Sequence, residues 1–267
     1  MAIDRTAVEQ LAGMLADREG RRRPGPRPSA DHPGMDVADA YRVQQELIAR
    51  RVARTGERVV GHKIGATNPV VQRQFGVDTP DFGHLLSGMM VADGGTIDVG
   101  ELIAPRVEAE IAFVLGATLA GPDVGVADVM AATTAIAPAL EIIDTRIDGW
   151  DLTFVDTVAD NGSSARAVVG DRFVAPTAVD LRTVGVVLEI DGQVRDTGAG
   201  AASLGHPARA VAWLARALSE YGQPLRAGHI VLSGSLTATP AVAAGNTVRA
   251  HFGGLGSVGC AFYDGAA

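Results

Sequence analysis

Hydrophobic residues follow two different rhythms along this chain. Towards the N-terminus they recur at helical spacing. Residues 4–18 form one such segment. A second follows Asp36, with Ala40, Tyr41, Leu47, Ile48 and Val52 along one face. Asp36 can cap this helix, Asp39 is favourably placed in its first turn, and Gly56 marks its end. Residues 20–34, rich in Pro, Gly and Arg, read as a linker between the two.

From Val59 onward the rhythm shortens to β-type runs broken by Gly, Pro and Asp, as in residues 59–64, 107–115, 140–143, 186–190, 230–232 and 258–263. Two helices interrupt them. One covers 126–134. The other starts near Pro207, carries Val211, Leu214, Leu218 and Tyr221 along one side, and stops before Gly222. Strands with scattered helices and no regular β–α alternation predict an α+β fold. The expected division is an N-terminal helical region with its linker, residues 1–58, and a catalytic body, residues 59–267. No repeat of fixed period is visible.

Composition narrows the function classes. The chain has 267 residues, 47% of them apolar and 20% charged, enough for one substantial core and unlike a disordered chain. Its net charge of −8 gives no electrostatic support for nucleic-acid binding. The one basic run, Arg21-Arg22-Arg23 with Arg27, lies among prolines and reads as a solvated linker. No apolar run is long enough to cross a bilayer. The N-terminal segment has acids where a signal peptide needs a positive start. A lone Cys260 allows neither an internal disulfide nor a cysteine zinc site. The expectation is a cytoplasmic protein with no nucleic-acid or membrane partner.

The candidate chemistry is acidic. In Arg106-Val-Glu-Ala-Glu-Ile-Ala-Phe-Val-Leu115 the apolar residues alternate with Glu108 and Glu110, so both carboxylates project from one face of a strand. Two adjacent carboxylates in apolar surroundings are costly to ionise unless a cation compensates them. The competing reading is an edge strand with a solvated polar face. Glu141, within Ala-Leu-Glu-Ile-Ile, would add a third oxygen donor for Mg²⁺ or Mn²⁺ and leave positions for a chelating 2-oxo acid and water. Alternatively it pairs with Arg106 or Arg146, and spacing does not separate these readings. Lys63, in Gly61-His-Lys-Ile-Gly65, could bind a substrate carboxylate or donate a proton, or be a surface lysine with a snorkelling stem. Asp81 is by default a turn residue, and an acid/base candidate if its loop faces the metal.

Other patterns carry less. Gly254-Leu-Gly-Ser-Val-Gly259 matches the dinucleotide-binding glycine spacing, but no helix and second strand can follow it. Gly198-Ala-Gly-Ala-Ala-Ser reads as a loop or lid. His62, His84 and His206 lack metal-ligand spacing to one another, and Cys260 has no catalytic context.

Taken together, Gly61-His-Lys-Ile-Gly65, Phe75-Gly-Val-Asp-Thr-Pro-Asp-Phe-Gly83, Pro105-Arg-Val-Glu-Ala-Glu-Ile111, Pro138-Ala-Leu-Glu-Ile-Ile-Asp-Thr-Arg146, Asp156-Thr-Val-Ala-Asp-Asn161, Leu232-Ser-Gly-Ser-Leu236 and Gly254-Leu-Gly-Ser257 form a specific ordered set. Through them the chain resembles the 2-keto-4-pentenoate hydratase / 4-oxalocrotonate decarboxylase family of the fumarylacetoacetate hydrolase-like superfamily, over nearly its whole length. The resemblance implies a mainly β body with an N-terminal helical region and a homo-oligomer. It also implies a metal held by Glu108, Glu110 and Glu141, with Lys63 and Asp81 in the catalytic pocket. Asp160-Asn-Gly-Ser-Ser-Ala-Arg166 departs from the hydratase pattern, with Gly162 in place of the usual alanine.

The expected activity is hydration of a 2-hydroxy-2,4-dienoate to a 4-hydroxy-2-oxo acid, as in aromatic catabolism, with a downstream pathway enzyme as a further partner. Three rivals stay open. One is a 2-oxo acid decarboxylase on the same scaffold. Another is a C–C hydrolase or tautomerase, although no His–Glu pair occurs at short spacing. The third is a non-catalytic subunit of such an enzyme.

Overall fold

The computed structural model describes residues 3–265, so the outermost residues of the expected division, 1–2 and 266–267, lie outside it. In chain order the elements are α1 (Arg5–Arg21), α2 (Pro28–Asp31), α3 (Val37–Thr55), β1 (Val59–Gly65), α4 (Pro69–Phe75), β2 (Asp81–Leu86), β3 (Met90–Val91), β4 (Thr96–Asp98), β5 (Arg106–Leu115), α5 (Val126–Ala132), β6 (Thr133–Ile143), α6 (Phe154–Ala159), β7 (Ser164–Val169), β8 (Gly185–Ile190), β9 (Gln193–Ala199), α7 (Pro207–Glu220), β10 (Ile230–Leu232), β11 (Thr247–Phe252) and β12 (Gly256–Tyr263). They build two mixed sheets: seven strands in the order β2-β1-β10-β5-β6-β7-β3, and five in the order β4-β12-β11-β8-β9. Strands β11 and β12 of the smaller sheet pack against β6 of the larger.

Local chemistry sets the N-terminal helices. Asp4 accepts the Ala7 N–H at 2.8 Å, and Asp36 accepts that of Asp39 at 2.9 Å, so each helix starts on a carboxylate cap. Gly56, at φ 73°, closes α3 in the left-handed conformation that glycine adopts without strain. The apolar faces of α1 and α3 join a core that runs from Val8, Leu11, Leu15 and Tyr41 through Val107, Ile111 and Phe113 to Val248 and Phe262.

The segment expected as a linker is more structured than its composition suggests. It contains α2, and Gly25 pairs with Ile147 in a short parallel bridge. Ser29 donates from its N–H and its hydroxyl to Asp156, each at 2.8 Å, clamping α2 to the start of α6. The basic run is also engaged. Arg21 ends α1, and Arg22 donates to the Gly100 carbonyl at 2.6 Å.

Strand β6 is longer than the expected 140–143 and passes through Pro138. The reason is register. Ile111, opposite Pro138, uses its carbonyl towards β10, where it accepts the Ser233 N–H at 3.1 Å. The Ile111–Pro138 pair is therefore a non-hydrogen-bonded one, and the missing proline N–H strands no acceptor on β5.

Candidate metal centre and active site

Strand β5 is central, flanked by β10 and β6, so the edge-strand reading of its glutamates does not hold. Glu108 lies directly opposite Glu141 in the β5–β6 register, and Glu110 projects from the same face of β5 two residues on. Nearest carboxylate oxygens of Glu108, Glu110 and Glu141 all lie within 4.8 Å of one another. Glu110 and Glu141 are fully buried, while Glu108 opens onto a cavity of about 380 Å³.

Burial pushes all three carboxyls up. Glu108 rises to about 7, with Lys63 opposing the rise and Glu141 and Asp81 adding to it. Glu110 rises well above the carboxylate range through burial and the charges of Glu141 and Glu108. Glu141 also rises through burial, opposed by Lys63. One partner is fixed: the Gly234 N–H donates to Glu110 Oε2 at 2.6 Å. Glu110 Oε1 and both Glu141 oxygens make no well-formed hydrogen bond. Buried carboxylate oxygens that lack well-formed hydrogen bonds, converging from two adjacent strands, fit a hard divalent cation that takes oxygen ligands.

Lys63 is not a surface lysine. Its ammonium lies 3.4 Å from Glu141 Oε2, and its side chain is 4% exposed. Burial works against this charge, but Glu141, Glu108, Asp81 and Glu110 outweigh it and hold the ammonium above its ordinary value. Glu141 therefore pairs with Lys63, rather than with either arginine weighed for it. Arg146 instead pairs with buried Asp160 and donates to the carbonyls of Asp144 and Asp160. Asp81, expected by default in a turn, is the first residue of β2 and is buried. Burial pushes its carboxyl up, with Lys63 and the Gly65 N–H opposing. Its Oδ1 finds no hydrogen-bond partner. Lys63, Asp81 and Glu108 line the same cavity.

The N-terminal helices position this machinery. Gln44 on α3 donates to the carbonyls of Phe82 on β2 and Val158 on α6, at 2.9 and 2.7 Å. Next to Asp81 the chain makes an unusual turn, in which Asn161, Gly162 and Ser163 all have φ between 56° and 60°. Asn161 secures it by accepting the His84 N–H at 2.8 Å and donating to the His84 carbonyl at 3.0 Å. A Cβ at Gly162 would come within 3.2 Å of the Lys63 stem and 3.3 Å of Asp81 Oδ1. Glycine here keeps the wall close to both residues.

Several wall residues escaped sequence reasoning. The helix α4, capped by Asn68 and ended by Gly76, carries Val71 and Gln74 into the cavity wall, and its Asn-Pro start was a readable signal. Trp150, Ser163 and Thr237 also line it and had no local signal. The other candidates lie elsewhere. His62 and His84 face each other with ring centroids 4.9 Å apart, beside a different pocket that His229 also lines. His206 caps α7 through the Ala208 N–H. Cys260 is buried, its thiol pushed up to about 12 by burial. Gly254 and Gly256 form the β11–β12 hairpin. Gly198 and Ala199 end β9, and a short 3₁₀ turn follows.

Comparison with known proteins places this geometry in context. The profile of the fumarylacetoacetate (FAA) hydrolase C-terminal family matches residues 68–262. The chain is 48% identical to a 2-keto-4-pentenoate hydratase of Paraburkholderia xenovorans (strain LB400) over 226 residues, 85% of this chain and 84% of that protein. It is 44% identical to a 4-oxalocrotonate decarboxylase of Pseudomonas sp. (strain CF600) over 260 residues, 97% of this chain and 98% of the relative. The solved 4-oxalocrotonate decarboxylase from Pseudomonas putida G7, complexed with magnesium and adipate, superposes with a TM-score of 0.94 at 41% identity, covering 97% of this chain and 98% of its own.

Proposed function

The chain belongs to the fumarylacetoacetate hydrolase family, and from its site geometry we propose that it is a divalent-metal-dependent hydro-lyase that converts a 2-hydroxy-2,4-dienoate into a 4-hydroxy-2-oxo acid. The observation that carries this reading is the buried trio Glu108, Glu110 and Glu141 with Lys63 and Asp81 beside it on one cavity. Names borne by relatives such as the Paraburkholderia hydratase support the reaction class.

Glu108, Glu110 and Glu141 would hold the cation, Mg²⁺ or Mn²⁺ by their all-oxygen donor set. When bound, such a cation polarises the 2-oxygen and carboxylate of the acid and stabilises enolate-like charge. Lys63 Nζ holds a positive charge beside the trio and orients Glu141. Asp81 Oδ1, buried, uncommitted and raised in proton affinity, is the atom positioned to hold and release a proton at the distal carbon of the dienoate. Protonation there gives an α,β-unsaturated 2-oxo acid, to which water adds at the β carbon. The cavity's apolar wall, Val71, Phe75, Ile143 and Leu152, limits the access of other water.

The test is turnover of freshly generated 2-hydroxypenta-2,4-dienoate, followed as loss of its ultraviolet absorbance with and without chelator. Chelator-sensitive decay to a 4-hydroxy-2-oxo acid is the expected result; decay that ignores chelator overturns it. A second reading, decarboxylation of a 2-oxo dicarboxylate, is favoured by the full-length superposition on the Pseudomonas decarboxylase and would release carbon dioxide.

A further inference from the structure

Adjacent residues of a strand face opposite ways, so the strands that send Lys63 and Asp81 into the catalytic cavity also send side chains behind it. On β1 the residue behind is His62, and its partner across the pair on β2 is His84. The parallel pairing of Gly61 with Ile230 brings a third histidine, His229, beside them. The rings of His62 and His84 have centroids 4.9 Å apart, and those of His62 and His229 5.7 Å. All three line one pocket, with Ile48 and Ala49 of α3 on its wall.

This pocket differs chemically from the catalytic cavity. Among the described residues no carboxylate lines it, and its one fixed charge is that of the exposed Arg226. His62 and His84 are buried. Burial, with the two neighbouring rings, holds His62 well below its ordinary value, and burial holds His84 at about 4, so both are neutral. Yet neither ring nitrogen of His62, nor Nδ1 of His84, makes a well-formed hydrogen bond. A buried polar group left unpaired costs about 1–3 kcal/mol, which a phenylalanine packed in the same place would not. The unpaired nitrogens therefore point to a ligand.

Neutral imidazole suits borderline transition dications, as carboxylate suits hard ones. With metal–nitrogen bonds of about 2.1 Å, two imidazoles sharing a tetrahedral ion place their ring centroids about 5 Å apart. Both measured spacings are close to that. Unlike the glutamate oxygens, the nitrogens of the three rings do not all lie within 4.8 Å of one another. His229 is the half-buried ring with room to turn inward, and its Nδ1 holds only a long contact, 3.4 Å, from the Arg226 N–H.

We propose that His62, His84 and His229 bind a borderline transition dication such as Zn²⁺ or Co²⁺, with water in its fourth position, back to back with the carboxylate centre. Occupation draws His229 inward and ties β1, β2 and the start of β10 together behind Lys63 and Asp81. The site does not depend on which reaction the carboxylate centre performs.

The experiment is titration of the full chain with Co²⁺ in excess Mg²⁺, followed by visible absorption. Four-coordinate Co²⁺ on imidazole nitrogens absorbs strongly, whereas six-coordinate Co²⁺ replacing Mg²⁺ among carboxylate oxygens absorbs faintly. The wild type should develop the strong band with one equivalent, and Zn²⁺ should bleach it. His229→Ala, at the pocket mouth, should weaken Co²⁺ binding by more than about tenfold, since even groups that only orient a metal ligand cost about that much. The same variant should leave Mg²⁺ titration in the absence of Co²⁺ unchanged. His62→Phe, which keeps a ring in place, should lose the band. A wild type that shows only the faint spectrum overturns the proposal, as does a strong band that survives His229→Ala. Inorganic phosphate bound in its stead, with binding lost in Arg226→Ala, would make this an anion pocket and equally overturn it.

Discussion

Lys63 Nζ and Glu141 Oε2 lie 3.4 Å apart, with 4% and 0% of their side chains exposed. One ammonium thus faces a buried group of carboxyls in which Glu108, Glu110 and Asp81 also act on it. A single positive charge cannot compensate that set, and the remaining demand is met either by protons or by a cation.

Replacing Lys63 with Met removes the one cationic side chain that, among the described residues, acts on all three glutamates. In chelator the variant should lose about 3 kcal/mol of stability or more, the usual cost of breaking a buried pair. Saturating Mg²⁺ should recover most of it, because the ion takes over the compensation. Urea unfolding in both conditions measures this, and an equal loss with and without Mg²⁺ would refute the shared-charge account.

Glu108→Ala removes the proposed ligand that opens onto the cavity while leaving the fully buried Glu110 and Glu141 in place. Turnover should fall at least about a hundredfold, with weakened Mg²⁺ binding. Undiminished metal-dependent turnover would remove Glu108 from the site.

Metal affinity should rise with pH. Glu108 sits near 7 in the folded chain, and Glu110 and Glu141 are also raised, so below that range a cation must displace protons. Titrations should show more proton release at pH 6 than at pH 8, with tighter binding at the higher pH. Without metal the same groups act on stability in the opposite sense. A carboxyl raised by folding binds more protons folded than unfolded, so its contribution declines as pH climbs from the unfolded value of 4.5 through about 7. Affinity independent of pH across this window would contradict the raised carboxyls.

Away from the site, His84 is depressed to about 4 by burial, against an ordinary 6.5. A depressed histidine stays neutral in the fold while the unfolded chain takes up a proton, so its contribution is present above 6.5 and is lost as pH falls through 6.5 towards 4. The loss has an upper bound of about 3 kcal/mol. His84→Gln should flatten this acid limb in urea midpoints taken at pH 4.5 and 7.5; an unchanged slope would mean that His84 does not titrate in that range.

Much of the fold was legible because its signals are local. Asp36 and Gly56 bracket α3 by capping chemistry that needs no tertiary context. The alternation of Val107, Ala109, Ile111 and Phe113 announced β5, and with it a shared face for Glu108 and Glu110. What was not legible depends on pairing. Whether β5 is an edge or a centre, and whether Glu141 meets Lys63 or an arginine, is decided by which strands adjoin, and no spacing along one strand encodes that. Pro138 shows the same limit, since a proline that ends a strand in isolation is harmless opposite a residue whose hydrogen bonds point the other way. Arg106 could be weighed only as an ion-pair partner until the ring of Trp150 was placed beneath it.

Glu108 and Glu141 owe their meeting to a register that a central strand cannot easily shift, because slipping by one residue would turn every core side chain of β5 outward. The walls around them are built differently, from α4, the turn at Trp150 and the segment that carries Ser235 and Thr237. Floor and walls are thus separable inheritances. Changes in the loops and short helices can retune which acid is received and what becomes of it, while the anchoring carboxylates stay where the sheet keeps them.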